Sequence, residues 1–202
     1  MGDIKVLLFD LGGVVIKLQA LDIMHELTCG SMTREEVYKR LTSSAAVRLL
    51  ETGKYGINEF AAAITEELSL KISPEAFIRE FEYFVTEPIE ETYSAIKAIP
   101  PEYITAVFSN TSCFHWESLC GRYAIDRLFE RHFLSYKMGM IKPDRNAYEY
   151  VIGELGCRPD EICFFDDTRA NVDMASELGI KAYQVTGSNT VSDMLKELKV
   201  IH

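Results

Sequence analysis

The 202-residue sequence predicts an α/β fold: a mostly parallel sheet between helical layers, with a small block of helices inserted after the first strand. Three observations carry this reading. Residues 4–9 form a run apolar enough for a strand covered on both faces. From about residue 88 onward, strand-like and helical patterns alternate, which builds βαβ units. Between about 17 and 86 the pattern is helical, with few β-like runs. The expected architecture is a Rossmann-like three-layer core from residues 1–16 and 88–202, and an α-helical cap over 17–87. The two crossings between them fall near 15–17 and 86–89.

Each element has a local reason. The first strand runs into Asp10 and then Gly12-Gly13, a pair that permits a sharp turn and close approach of backbone amides to a ligand. Leu18, Leu21, Ile23, Met24 and Leu27 mark an amphipathic helix that stops near Gly30. Thr33 and Glu36 have capping-box spacing and open a helix carrying Val37 and Leu41. A further helix spans 45–50. Asn58 is expected to cap the next, whose Phe60, Ala61, Ile64 and Leu68 share a face. Ser73-Pro74-Glu75 combines a capping hydroxyl, a first-turn proline and an acid near the positive helix end. Pro88 is expected to start a helix that Pro100-Pro101 ends. Residues 103–108 read as a strand running into Ser109-Asn110-Thr111, followed by a helix near 116–123. Residues 143–155 read as a helix closed by Gly156. Residues 162–165 lead into Asp166-Asp167. A helix to Gly179, a strand over 181–185 and a helix over 191–198 complete the chain.

Composition narrows the function. The formal charge is -10, so no basic field exists to neutralise a nucleic-acid backbone, although one lysine and some amides suffice for a small phosphorylated ligand. Cys29, Cys113, Cys120, Cys157 and Cys163 are irregularly spaced, and no pair has the spacing of a zinc knuckle or redox motif. No apolar run is long enough for a signal or membrane span, and a cytoplasmic protein, monomer or homodimer, is expected.

The chemistry gathers at strand ends. Asp10, Ser109-Asn110-Thr111 and Asp166-Asp167 each terminate an apolar run. In a parallel sheet such ends lie along one edge, where open α/β folds build their sites. Converging aspartates repel and raise one another's pKa values, and a hard divalent cation relieves this; Mg²⁺ is the default for carboxylates, water and phosphate. Lys142, just before Pro143, is placed to offset charge on an anion or a carboxylate. Taken singly, these are also a surface lysine, ordinary caps and an ordinary turn; it is their combination that points to a site.

In order along the chain, Asp10-Leu11-Gly12-Gly13-Val14, residues 104–109 ending in Ser109, Lys142 before Pro143, and Phe165-Asp166-Asp167 with Asn171 beyond resemble the four motifs of the haloacid dehalogenase superfamily, in its helical-capped, phosphatase-like branch. Gly12 and Ser109-Asn110-Thr111 are similar to the bacterial glucose-1-phosphate phosphatase subgroup. The resemblance covers essentially the whole chain. It implies that Asp10 is the nucleophile and forms an aspartyl-phosphate. It implies Mg²⁺ held by Asp10, Asp166 and the Gly12 carbonyl, with Asp167 joining directly or through water. Ser109 and backbone amides near Leu11, Gly12 and Asn110 would bind the phosphoryl oxygens, and Lys142 would hold Asp10 and offset transition-state charge.

Position 12 departs from the pattern. Family phosphatases often carry there an aspartate that protonates the leaving oxygen and then activates water; Gly12 has no side chain, a loss worth roughly 10²–10⁴-fold. Three outcomes are open: a slow enzyme, an acid supplied by the cap, or a substrate with a good leaving group such as a sugar 1-phosphate. Glu51, before Thr52-Gly53, is the cap carboxylate to test, and Arg48 one turn earlier is a candidate contact for a substrate anion; both also read as surface residues. His25, His115 and Trp116 read first as packing. The expected function is a Mg²⁺-dependent phosphatase on a small organic phosphate, preferably a sugar phosphate. Dehalogenation through Asp10, or a catalytically weak binding or regulatory protein, are the alternatives. Lys17, Lys39 and Lys54 leave a phosphonatase Schiff base open.

Overall fold

The computed structural model describes residues 3–187 and 189–202; Met1 and Gly2, where the expected core begins, and Ser188 lie outside the described residues. In chain order the elements are β1 (Val6–Phe9), β2 (Ile16–Leu18), α1 (Ala20–Leu27), α2 (Arg34–Ser43), α3 (Ala45–Glu51), α4 (Ile57–Glu67), α5 (Pro74–Phe81), β3 (Val85–Pro88), α6 (Glu90–Lys97), β4 (Ile104–Ser109) and α7 (Cys113–Tyr123). There follow β5 (Arg131–Leu134), α8 (Ser135–Met138), α9 (Arg145–Leu155), β6 (Ile162–Asp166), α10 (Arg169–Glu177), β7 (Lys181–Gln184) and α11 (Val191–Glu197).

Five strands form one parallel sheet in the order β5-β4-β1-β6-β7. Because side chains alternate across a strand, β1 feeds two cores. Leu7 and Phe9 join Ala95, Ile96, Trp116, Leu119 and Leu195 on one face. Val6 and Leu8 join Ala147, Tyr148, Val151 and Ala175 on the other. Helices α6, α7 and α11 therefore cover one side of the sheet and α9 and α10 the other. All four residues of β1 are fully buried, as its unbroken apolar run requires.

Helices α1 to α5 share a separate core built from Met24, Leu50, Phe60, Ile64, Phe77 and Phe81. Rings in this core meet edge-on or offset, as at Phe77–Phe84 and Phe81–Phe84, a geometry that adds about 0.5–1.5 kcal/mol per pair beyond burial. The Thr33–Glu36 capping box opens α2, and Ser73 caps α5 ahead of Pro74, both as the sequence predicts.

Several element boundaries differ from expectation. The two crossings are an antiparallel ribbon of β2 and β3, not plain linkers. Pro88 ends β3 instead of starting a helix; each strand of a two-stranded ribbon is an edge, where a missing N–H is tolerated, and α6 begins at Glu90 after Ile89, whose amide donates to the Val15 carbonyl. Asn58 lies inside α4, which starts at Ile57 after extended Gly56. Helix α7 begins three residues before Trp116, because the Ser112 hydroxyl accepts from the His115 amide. Helix α9 starts at Arg145, since Asp144 closes a turn onto the Ile141 carbonyl first. Among the described residues no helix is long and apolar enough to cross a membrane.

Candidate active site

Strand register brings the acids together. Phe9 pairs with Val107 on β4 and with Phe165 on β6. One residue further along the same parallel strands, Asp10 lies beside Asp166, with Ser109 at the end of β4. Carboxylate oxygens of Asp10, Asp166 and Asp167 lie within 4.8 Å of one another. Lys142 Nζ bridges two of them, at 2.9 Å from Asp10 Oδ1 and 2.6 Å from Asp166 Oδ2. Its ammonium also lies 5.2 Å from the Phe108 ring centre and 5.4 Å from that of Phe164. Far from being a surface lysine, Lys142 is 3% exposed.

Charge in this pocket is unbalanced. Burial pushes the Asp10 carboxyl up to about 7; Lys142 opposes the rise, while Asp166 and Asp167 add to it. Burial and Asp166 likewise raise Asp167. Burial pulls the Lys142 ammonium down, but Asp10 and Asp166 together outweigh it and hold it above its ordinary value. One cation thus faces three acids, and the donor set is all oxygen, which fits a hard divalent ion.

The loops around the acids are fastened by side chains. Asn110 Nδ2 donates to the Lys142 carbonyl and Asn110 Oδ1 accepts from the Lys142 amide, both at 2.9 Å. The Thr111 amide donates to Ser135 Oγ, which donates in turn to the Thr111 carbonyl. Asn171 Nδ2 reaches both Asp166 oxygens, at 2.9 and 3.1 Å, and the Thr168 amide donates to Asp166 Oδ1. The Tyr148 hydroxyl holds the Asn171 carbonyl from below. In contrast, the amides of Leu11, Gly12 and Asn110 donate to no backbone or side-chain oxygen among the described residues, and the Gly12 carbonyl accepts from none. Ser109 Oγ makes one long contact, 3.4 Å to the Asn110 carbonyl. Three free amides and an uncommitted hydroxyl beside the acids form a cradle for an anion's oxygens.

The two glycines differ. Gly13 has φ +74°, and a Cβ there would collide with the Asp167 carboxylate. A Cβ at Gly12 would meet the Leu18 methyls at 3.1 and 3.2 Å. The space beside Gly12 is thus filled by an apolar side chain from β2.

A cavity of about 410 Å³ opens from these acids toward α1–α5. Glu51, at the end of α3, lines it together with Asp10, Ser109 and Lys142. Burial pushes the Glu51 carboxyl up to about 7; Lys142 opposes this, Asp10 adds, and Arg48 opposes. Glu51 therefore shares the field of the site and is not a surface acid. Arg48 is outside the cavity lining, and its Nη2 pairs with Asp144 Oδ2 at 2.6 Å. His115 lines the cavity and is held down at about 4 by burial; in this neutral form its Nε2 donates to the Phe81 carbonyl at 2.8 Å, joining α7 to α5. Trp116 packs in the core under the sheet. Lys17 and Lys39 pair with Glu87 and Glu35, and neither they, Lys54 nor His25 line the cavity.

Sequence reasoning did not find the Asn110 side-chain clamp, Ser135, Thr168 or Tyr148. The bonds of Asn110, Ser135 and Tyr148 cross 32, 24 and 23 residues, so no local pattern signals them, while Thr168 contributes its backbone amide, which no residue type announces.

Comparisons with known proteins bear on this geometry. The model of the haloacid dehalogenase-like hydrolases matches residues 4–179. A D-ribitol-5-phosphate phosphatase of Bacteroides thetaiotaomicron is 24% identical over 209 residues, covering 98% of each chain. A crystal structure of a family enzyme from Bacteroides thetaiotaomicron, in complex with magnesium and inorganic phosphate, superposes with a TM-score of 0.76 at 26% identity, over 95% of this chain and 98% of that one. A structure from Porphyromonas gingivalis, at 23% identity and a TM-score of 0.78 over 98% and 99%, shares the fold. Since the family model spans both the acid-bearing strands and the helical insert, the chain belongs to the haloacid dehalogenase-like hydrolases.

Proposed function

We propose that the protein is a Mg²⁺-dependent phosphate monoester hydrolase that works through an aspartyl-phosphate on Asp10 and acts on a small organic phosphate. The observation that carries this reading is the cluster of buried Asp10 and Asp166, gripped by Lys142, with half-buried Asp167 beside them, next to free amides. The named activity of the D-ribitol-5-phosphate phosphatase relative supports it.

Asp10, Asp166 and the Gly12 carbonyl would hold Mg²⁺, with Asp167 joining directly or through water. The ion supplies positive charge for a phosphoryl oxygen and relieves repulsion among the acids. The amides of Leu11, Gly12 and Asn110 and the Ser109 hydroxyl bind the phosphoryl oxygens. Lys142 fixes the Asp10 carboxylate through Oδ1 and offsets the charge that develops on transfer. An Asp10 oxygen bonds to phosphorus as the ester P–O bond breaks, and Glu51 gives its proton to the departing oxygen. Glu51 then takes a proton from water as that water attacks the phosphoenzyme, releasing phosphate and restoring Asp10. A carboxyl near 7 is suited to both steps at neutral pH. Helices of the 17–87 insert act as the cap over the core of 1–16 and 88–202 and exclude water when closed. Arg48 serves this cap through Asp144 instead of touching substrate.

Phosphate release from sugar phosphates, nucleotides and acyl phosphates, with Mg²⁺ and with EDTA, tests the reading. Release that needs Mg²⁺ and disappears in Asp10→Asn is expected. Wild-type activity in Asp10→Asn contradicts the nucleophile, and release no higher than the metal-free control favours a binding protein. Halide release without metal would favour dehalogenation, a reaction that leaves the paired Asp166 and Asp167 without a task.

A further inference from the structure

We infer that the organic part of the substrate is uncharged and largely apolar: an alkyl or aryl phosphate monoester whose hydrocarbon portion fills the cleft between the acids and the insert. This rests on the hydrolase reading and deepens it, and it departs from the sugar phosphate expected above.

On the insert's side the cavity wall is mostly hydrocarbon, while the core side adds the polar Thr111, Ser112, Thr168 and Asn171 around the acids. Leu18, Leu41, Val47, Leu50, Phe84 and Val85 line it. Ile64, Phe77 and Met24 belong to the same wall and are fully buried. Among the described residues, the insert contributes two polar side chains to the lining, Tyr38 and Glu51. A polyhydroxylated leaving group needs a partner for each hydroxyl it buries, and unpartnered ones cost about 1–3 kcal/mol each. His115 offers little more, because its Nε2 is committed to the Phe81 carbonyl.

Charge excludes a second anionic group. Lys142 is the one cationic side chain lining the cavity among the described residues, and it is held between two carboxylates. Arg48 is engaged by Asp144. A carboxylate or second phosphate on the substrate would add charge to a cleft that offers it no free cation.

The exposed apolar residues point the same way. Four large hydrophobic side chains are left exposed among the described residues, and two of them, Leu18 at 48% and Tyr38 at 55%, stand in this cavity. Leu18 also covers the space beside Gly12. Its methyls thus stand in the same cavity as Asp10, where a chain next to the ester oxygen would pack. The volume, about 410 Å³, lies within the range of clefts that enclose a whole small molecule.

The test uses Mg²⁺-loaded enzyme and measures kcat/KM for phosphate release from methyl, butyl and hexyl phosphate, phenyl phosphate, glucose 1-phosphate, ribitol 5-phosphate and phosphoglycolate. Burial of each methylene predicts a rise of roughly two- to fourfold, so about 30-fold or more over the five methylenes from methyl to hexyl. Hexyl and phenyl phosphate should exceed both polyol phosphates by tenfold or more, with phosphoglycolate lowest. Val47→Ser and Leu50→Ser should each lower the hexyl-to-methyl ratio severalfold. A flat chain-length series, or polyol phosphates equal to hexyl phosphate, overturns the inference while leaving the hydrolase reading intact. No release from any ester overturns the hydrolase reading instead. In that case the affinities of methyl- to hexylphosphonate by calorimetry still decide the occupant: tightening with length supports an apolar one, and equal affinities overturn it.

Discussion

At position 12 the Leu18 methyls stand where a side chain would begin, and across the cleft Glu51 carries a carboxyl raised to about 7. The proposed mechanism thus assigns proton transfer to the insert and not to the first motif. Glu51→Gln should lower kcat by roughly 10²–10⁴-fold and abolish the fall in rate above about pH 7 that loss of the acid form gives the wild type. Adding Gly12→Asp to that variant should recover part of the rate, since Leu18 is half exposed and free to swing aside. Stability gives a second readout. Glu51 binds its proton more tightly folded than unfolded, so it destabilises the fold progressively as pH rises from 4.5 to about 7. The Tm of Glu51→Gln relative to wild type should therefore increase across that window, measured without metal. Gly13 bears a different constraint: Gly13→Ala would force a Cβ at positive φ into Asp167, and the Mg²⁺ needed for half-maximal activity should rise roughly 10–100-fold. Asp10, Asp166 and Lys142 were legible because each closes or follows a distinct apolar or turn pattern. Glu51 was legible only as a candidate, because a helix-end acid shows its facing only once α3 is docked. Arg48 had both readings open, a surface residue or a contact for a substrate anion, and its pairing with Asp144 could not be read because the partner lies 96 residues away.

Among the elements, the β2–β3 ribbon and α3 set how the insert meets the sheet. The ribbon ties both crossings together. Arg48 on α3 pairs with Asp144 at the start of α9, two residues from Lys142, and Gly53 lies against the Tyr136 carbonyl with no room for a Cβ. Both partners of the pair are partly exposed, so it contributes about 0.2–1 kcal/mol. Arg48→Ala should raise KM by no more than roughly fivefold, and the exchanged pair Arg48→Asp with Asp144→Arg should restore it. A loss of 10²-fold or more with no restoration would mean that Arg48 binds the substrate anion directly. The ribbon escaped sequence analysis because β2 has three residues, of which only Ile16 is buried, too few for any period to show. The helices of the insert were legible through their spacing and their caps at Thr33 and Ser73. Asn58 was misread as a cap because Gly56 already provides the extended entry to α4.

In the whole molecule, one sheet separates two apolar layers, and its central strand β1 delivers Asp10 between β4 and β6. The alternation of strands and helices made the three layers legible, and the parallel direction of the strands put all the motif ends on one edge. Strand order, the loop clamps and the cavity wall were not legible, because each depends on residues far apart in sequence that meet only after packing. The wall is the largest revision: helices unremarkable in sequence enclose a hydrocarbon cleft above a charged floor. On the proposed mechanism, function turns on one covalent event, transfer of a phosphoryl group to Asp10. The most direct test is rapid acid quench of Mg²⁺-loaded enzyme during turnover of phenyl phosphate, followed by mass spectrometry of the peptide that contains Asp10. A phosphoryl group on Asp10 in the wild type, absent in Asp10→Asn, is the predicted result. Sustained phosphate release from the Asp10→Asn protein, or a phosphoryl group on a different residue, would contradict it.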